Sequence, residues 1–306
     1  MVSALPLASL LVRLERERNT VKRNPSQSRT LVSFRTALAY SDRMALPFGA
    51  MSGMAAGSVT VPSLRAGECQ VWWASPAAGR SELLALLDAG EHARWSRFRR
   101  DEDRARYLAA HALARLVLAG HLGTSAAELG FSAVCRHCGG TDHGKPRLLT
   151  GGIEFSLSHS GERVVLAVTR DAAVGVDVEQ LNPRRDVAAL IPEILSATER
   201  RALAALPAAA SALALLRYWT RKEALLKATG DGLAVALSTI TVTPPPAPPA
   251  LVAWAAAPPL EAEAHLFDLN PGPGHVASLA VLGPRLAVVE RAADGLLAAL
   301  PFAGSA

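Results

Sequence analysis

The chain has 306 residues, half of them hydrophobic, and a formal net charge of +5. That length accommodates one large or two small domains with a sizeable core. The basicity lies in the first 65 residues, where nine Lys/Arg stand against three acids, a net of +6 that leaves the rest at −1, so the body does not read as a nucleic-acid binder. No stretch approaches the ~20 apolar residues of a membrane helix, and the N-terminus lacks a signal-peptide pattern. Three cysteines make no disulfide framework, so the expectation is a reducing cytoplasm and no membrane partner.

In chain order, residues 1–66 read as a basic, disordered leader that builds no core. CQVWWAS (69–75) has strand character, and SELLALLDAGEHARWSRF (81–98) has helical spacing. DRARYLAAHALARLVLAGHLG (103–123) predicts a strong helix stopped by Gly123. FSAVCRHCGGTDHGKPRLL (131–149) reads as loop, and FSLSHSG (155–161) with RVVLAVT (163–169) predicts a hairpin, with Ser158-His159-Ser160 at its tight turn. VGVDVEQ (174–180) is a further strand. SATE (196–199) has the capping-box pattern, in which a serine and a glutamate satisfy each other's backbone amides. ALLRYWTRKEALLKATG (214–230) predicts a helix ended by Gly230, TPPPAPPA (243–250) a connection, and HVASLAVLGPRLAVVE (275–290) two short strands.

The chain resembles itself weakly. Leu166-Ala-Val168 with Val178-Glu179 matches Leu279-Ala-Val281 with Val289-Glu290, and Arg106-Tyr107 matches Arg217-Tyr218, all at offsets of 111 to 113 residues. The fold class expected is α+β, with two similar halves at 67–170 and 171–293, a ligand cleft between them and a tail at 294–306. Where the second half has Glu223 the first has Ala112, so any metal chemistry falls to the second half.

Residues i and i+2 of a strand share a face, so Asp177 and Glu179 aim together. Two carboxylates this close in an apolar setting repel, and one keeps its proton unless a hard cation such as Mg²⁺ joins them. On spacing alone the pair fits a solvated edge equally well. Glu223 lies on the apolar stripe of its helix with Trp219 and Leu226, where an unpaired charge is costly, and Lys227 flanks the same face. An ordinary surface Glu–Lys pair is the plainer alternative. Ser158-His159-Ser160 offers hydroxyls and an imidazole to a phosphate, and His143-Gly144-Lys145-Pro146 offers a cation on a rigid loop.

GVDVE (175–179), WTRKEALLKATGDGL (219–233), FSLSHSG (155–161) and HGKPRL (143–148), in this layout, resemble the 4′-phosphopantetheinyl transferases of the larger, surfactin-synthetase-activating type, over about 67–290. The resemblance implies a monomer that binds coenzyme A between two α+β halves and transfers its 4′-phosphopantetheine group to a serine of an apo acyl or peptidyl carrier protein, in polyketide, nonribosomal peptide or fatty-acid synthesis. It implies Mg²⁺, with Mn²⁺ as the alternative ion, on Asp177, Glu179 and Glu223, and Lys227 on the same phosphates. Glu223 is the candidate general base, acting directly or through a metal-bound water. Ser158 and His159 would bind phosphates of the nucleotide end, Gly144, Lys145 and Pro146 would flank adenine, and Arg94 and Arg106 fall where the family has basic phosphate contacts. His143 stands where relatives often have an aromatic. Residues 181–198, with Arg184 and Arg185 beside Leu190, Ile191, Ile194 and Leu195, are the expected carrier surface, or else a segment packing on its own core. Cys135-Arg-His-Cys138 reads as an unligated loop before a structural zinc site. Two other readings stay open: a different Mg²⁺-dependent phosphoryl-transfer enzyme, and a non-catalytic coenzyme A or carrier-binding protein.

Overall fold

The computed structural model describes residues 60–141, 144–182 and 190–299. Strand β1 (Glu68–Ala74) is followed by helix α1 (Ala89–Trp95) and the long helix α2 (Asp101–Leu122). Two-residue strands β2 (Phe131–Ser132) and β3 (Arg147–Leu148) pair with each other, and then come the hairpin β4 (Glu154–Ser160) and β5 (Arg163–Thr169) and strand β6 (Ala173–Gln180). Helices α3 (Ala197–Ala204) and α4 (Ala208–Thr229) lead to the pair β7 (Ile240–Val242) and β8 (Leu251–Trp254), and β9 (Ala264–Leu269), β10 (His275–Leu282) and β11 (Ala287–Ala292) complete the strands.

Two larger sheets result, in the orders β11-β1-β5-β4 and β6-β10-β9. β1 runs antiparallel to β5, which pairs with β4; β6 runs antiparallel to β10, which pairs with β9. Each set carries a 22-residue helix after its first strand, and both helices end on a left-handed glycine, Gly123 at φ 66° and Gly230 at φ 80°. Left-handed backbone there costs glycine nothing and lets its amide close the last turn. The internally similar Leu-Ala-Val segments occupy the middle strands β5 and β10. A cut at residue 170 assigns β11 to the second half, yet β11 runs parallel to β1 and closes the first sheet.

Several expected elements differ in detail. Residues 81–98 do not form one helix: a 3₁₀ stretch at Ser81–Leu86 ends, and α1 starts afresh after Asp88. Asp88 and Glu91 form a capping box, with the Glu91 amide donating to Asp88 at 2.9 Å and the Asp88 amide to Glu91 at 3.1 Å. The Ser196–Glu199 box forms as expected, but it starts only the eight-residue α3. The hairpin turn lies at Gly161 and Glu162, so Ser158, His159 and Ser160 are strand residues rather than turn residues. Of the expected leader, residues 1–66, positions 1–59 lie outside the described residues, and its last part does build core: Val61 and Leu64 pack against the first hydrophobic cluster, and the Gln70 side-chain amide donates to the Ser63 carbonyl at 3.2 Å.

One apolar cluster lies between α2 and the first sheet, with Leu113, Val117, Phe155 and Leu166 at its centre. A second lies between the two sheets, where Val71, Val165 and Ala167 meet Val174, Val176, Val178 and Leu279. The alternation of β6 sends its valines into that layer and Gly175, Asp177 and Glu179 to the face under α4. Gly175 sets how closely α4 approaches: a Cβ there would stand 2.0 Å from the Ala224 carbonyl oxygen and 2.4 Å from the Ala228 nitrogen. Both obstacles are helix backbone and cannot swing away. Gly175→Ala is therefore expected to destabilise the protein by at least the ~1–3 kcal/mol typical of overpacking, and to lower the melting temperature measured by calorimetry. An unchanged melting temperature would contradict this close approach.

Candidate active site

Three elements meet beneath α4. β4 lies against β6 without a backbone ladder between them. Serine hydroxyls of β4 take its place: the amides of Val176, Val178 and Gln180 donate to Ser156, Ser158 and Ser160 at 3.0, 3.4 and 3.1 Å. Ser158 and Ser160 then donate onward, to Asp177 Oδ1 at 2.9 Å and Glu179 Oε2 at 2.7 Å. From α4, Lys227 Nζ donates to Asp177 Oδ1 at 2.7 Å, Ser158 Oγ at 2.9 Å and the Val176 carbonyl at 3.0 Å. All three protons of that ammonium are thus used within the protein.

Asp177, Glu179 and Glu223 are 5%, 2% and 2% exposed, so the solvated-edge alternative falls. Burial pushes the Asp177 carboxyl above its ordinary range, against the pull of Lys227, Ser158 and the Val178 amide. Glu223 is pushed up to about 8, first by burial, then by the charge of Asp177 and, to a smaller extent, Glu179, with Lys227 opposing. Asp177 Oδ2 and Glu223 Oε1 are buried without a hydrogen-bond partner. Such orphaned oxygens are costly, and they suit a hard cation that wants oxygen ligands. Among the described residues no three His, Cys, Asp or Glu side chains already stand together as a metal-binding group.

The other residues singled out in the sequence divide. Ser158 and His159 fall on opposite faces of β4, so they do not act as one phosphate cradle. Ser158 is 4% exposed and committed to Asp177 and Lys227. Burial, then the charges of His111, Arg106 and Lys227, push His159 down to about 4, leaving it neutral at pH 7. Arg106 donates to the Gly161 carbonyl at 3.3 Å, which ties α2 to the hairpin turn, and pairs with Asp103. Arg94 occupies the last turn of α1. Gly144 has φ 139°, and a Cβ there would meet the Val134 backbone at 2.7 Å. Lys145 corrects the expectation most. Its ammonium turns inward to Glu154 at 3.0 Å and to the carbonyls of Val174 and Ala228 at 3.1 Å each. Burial lowers its pKa, with Glu154 opposing. That ammonium fastens the Gly144–Pro146 loop to β6 and α4 and leaves no donor for a nucleotide. His143 lies outside the described residues.

Arg184 and Arg185 also lie outside the described residues. Leu190, Ile194 and Leu195 are 1%, 1% and 0% exposed, so three of the four apolar residues expected at the carrier surface are core, and Ile191 is half-buried. The Cys135–Cys138 loop is fixed by its neighbours: Arg136 donates to the Thr229 carbonyl at 3.0 Å and His137 meets Asp231 at 3.1 Å.

Buried ion pairs that no local sequence pattern signals hold α4 and α2 in place. Lys222 is fully buried, paired with Glu199 and bonded to the carbonyls of Ile194 and Leu237. Arg221 forks onto Asp268. Arg115 reaches Glu91 at 2.7 Å and Asp88 at 2.6 Å, and Glu91 also meets His111 at 2.8 Å. The serine ladder was missed as well, although the S-x-S-x-S alternation at 156–160 is visible as one polar face of a strand.

The model of the 4′-phosphopantetheinyl transferase superfamily matches residues 173–280, from the start of β6 into β10. The 4′-phosphopantetheinyl transferase HetI of Nostoc sp. is 34% identical over 216 residues, covering 68% of this chain and 84% of that protein. A 4′-phosphopantetheinyl transferase of Bacillus subtilis is 28% identical over 168 residues, 54% of this chain and 70% of its own. The psf-1 enzyme of Bacillus pumilus, also a 4′-phosphopantetheinyl transferase, is 41% identical over 87 residues, 28% of this chain and 36% of its own. The chain belongs to the 4′-phosphopantetheinyl transferase superfamily.

The raised pKa of Glu223 has a measurable sign. A carboxyl that moves from about 4.5 to about 8 on folding binds its proton more tightly in the folded state. Its contribution to stability is full below about 4.5 and is lost as pH rises through about 8. Urea unfolding in chelator, between pH 5 and 9, should show the stability of Glu223→Gln rising relative to wild type as pH increases. Parallel profiles would contradict the assignment.

Proposed function

We propose that this protein transfers the 4′-phosphopantetheine group of coenzyme A to the side-chain hydroxyl of a serine in an apo carrier protein, releasing 3′,5′-ADP. The observation that carries the reading is the buried group of Asp177, Glu179, Glu223 and Lys227 under α4, in a chain of this family. A protein that only bound coenzyme A would have no need to bury three carboxylates on the facing elements β6 and α4. The orphaned oxygens of Asp177 and Glu223 fit a divalent ion, and we assign Mg²⁺ to Asp177, Glu179 and Glu223. Bound there, the ion would draw charge from the pyrophosphate and steady the leaving group.

The chain's own residues then do the following. Glu223, ionised once the ion has displaced its proton, takes the proton of the attacking serine hydroxyl. The serine oxygen bonds to the β-phosphorus as the bond from that phosphorus to the bridging oxygen breaks, and the oxygen leaves with 3′,5′-ADP. Lys227 turns from Asp177 to offset charge on the transferring group. His159, Arg94 and Arg106 bind the phosphates of the nucleotide end, and His159 takes up a proton as they arrive. The backbone of Gly144 and Pro146 flanks adenine, with Lys145 holding that loop from behind. We propose further that the protein acts as a monomer in the cytoplasm and serves polyketide or nonribosomal peptide carriers. Among the described residues no helix is long and apolar enough to cross a membrane.

The test is to incubate the protein with coenzyme A, Mg²⁺ and an apo carrier domain and to weigh the carrier. The carrier should gain the mass of one phosphopantetheine group. Glu223→Gln should lower the rate by about 10²–10⁴-fold, the usual cost of a lost positioned base. A carrier of unchanged mass, or a fully active Glu223→Gln, would overturn the reading.

A further inference from the structure

The serine ladder does more than join two sheets. A serine hydroxyl has one proton and two lone pairs. At Ser160 the Gln180 amide donates into the oxygen at 3.1 Å, so the hydroxyl proton is directed to Glu179 Oε2 at 2.7 Å. At Ser158 the Val178 amide and the Lys227 ammonium both donate in, and the proton goes to Asp177 Oδ1. Each acid on that face of β6 is thus aimed by the serine opposite it. Ser156 takes the Val176 amide at 3.0 Å in the same way, but the residue before Val176 is Gly175, which has no carboxylate to receive a proton.

We infer that Ser160 is a positioning residue: its hydroxyl sets the rotamer of Glu179 and keeps that carboxylate turned to the ion, while Ser156 makes the same backbone bond with no such role. The inference rests on the metal assignment proposed above. Unlike Ser158, which also binds Lys227, Ser160 has no part in the buried ammonium site. It is half-buried at the end of β4, so losing its hydroxyl leaves no large cavity. Groups that orient a metal ligand from behind typically cost about 10–100-fold in metal affinity when removed.

The experiment is Mn²⁺ binding to the full-length protein, followed by the loss of the free-ion electron paramagnetic resonance signal, for wild type, Ser160→Ala, Ser160→Thr and Ser156→Ala. Ser160→Ala should bind Mn²⁺ about 10–100-fold more weakly. Ser160→Thr keeps a hydroxyl and should bind nearly as wild type does. Ser156→Ala should match wild type in affinity even where its melting temperature falls. If Ser160→Ala binds as wild type does, or Ser156→Ala weakens binding equally, the positioning role is wrong and the metal assignment survives. Wild type that binds no Mn²⁺ overturns the metal assignment and this inference with it.

Discussion

The buried contact between Lys227 and Asp177 is the constraint on which the site depends. It joins α4 to β6, and through Ser158 it reaches β4, so one ammonium binds parts of both sheets. A charge pair this deep gains Coulomb energy only against a large desolvation cost. What makes it viable is that the lysine also satisfies a carbonyl and a hydroxyl, which leaves none of its protons idle. The carboxylates are less well provided for. Three of them share the space with one cation, and Glu223 answers by holding its proton. The chain stores unbalanced charge at the proposed site, where neutral or apolar packing is often at least as stable.

The surroundings are built to keep this arrangement rigid. Gly175 lets α4 lie against β6 at backbone contact, and Lys222 locks the other flank of the same helix onto Glu199. Glu199 is also half of a capping box and accepts from the Val242 amide at 2.8 Å, so one carboxylate fixes α3, α4 and β7 together. The WTRKEALLK segment therefore carries two kinds of lysine and two kinds of charge. Arg221 and Lys222 hold the helix, while Glu223 and Lys227 face the acids of β6.

Local signals were legible in the sequence. The glycine stops of α2 and α4, the Ser196 capping box and the β4–β5 hairpin all rest on residues a few positions apart, and their physics is local. The shared face of Asp177 and Glu179 follows from strand alternation, and the core-facing side of α4 from helical spacing. What sequence could not supply was the partner of each buried cation. Lys145, Lys222 and Lys227 look alike in the chain, yet their partners lie 9 to 83 residues away. The resemblance puts Lys145 at the nucleotide end, whereas tertiary packing turns its ammonium inward. The run from Leu190 to Leu195, an apolar stripe beside arginines, fits either a partner surface or a core in sequence, and only burial separates the two.

The central claim is that Glu223 waits protonated for a cation that Asp177 and Glu179 help to hold. A ligand that must be deprotonated releases its proton when the metal arrives. Titration of Mg²⁺ into the protein with coenzyme A present, by calorimetry at pH 7 in buffers of different ionisation enthalpy, measures that proton directly. The account predicts release of about one proton per ion bound, and none from Glu223→Gln. Binding of Mg²⁺ to wild type with no proton released would contradict it.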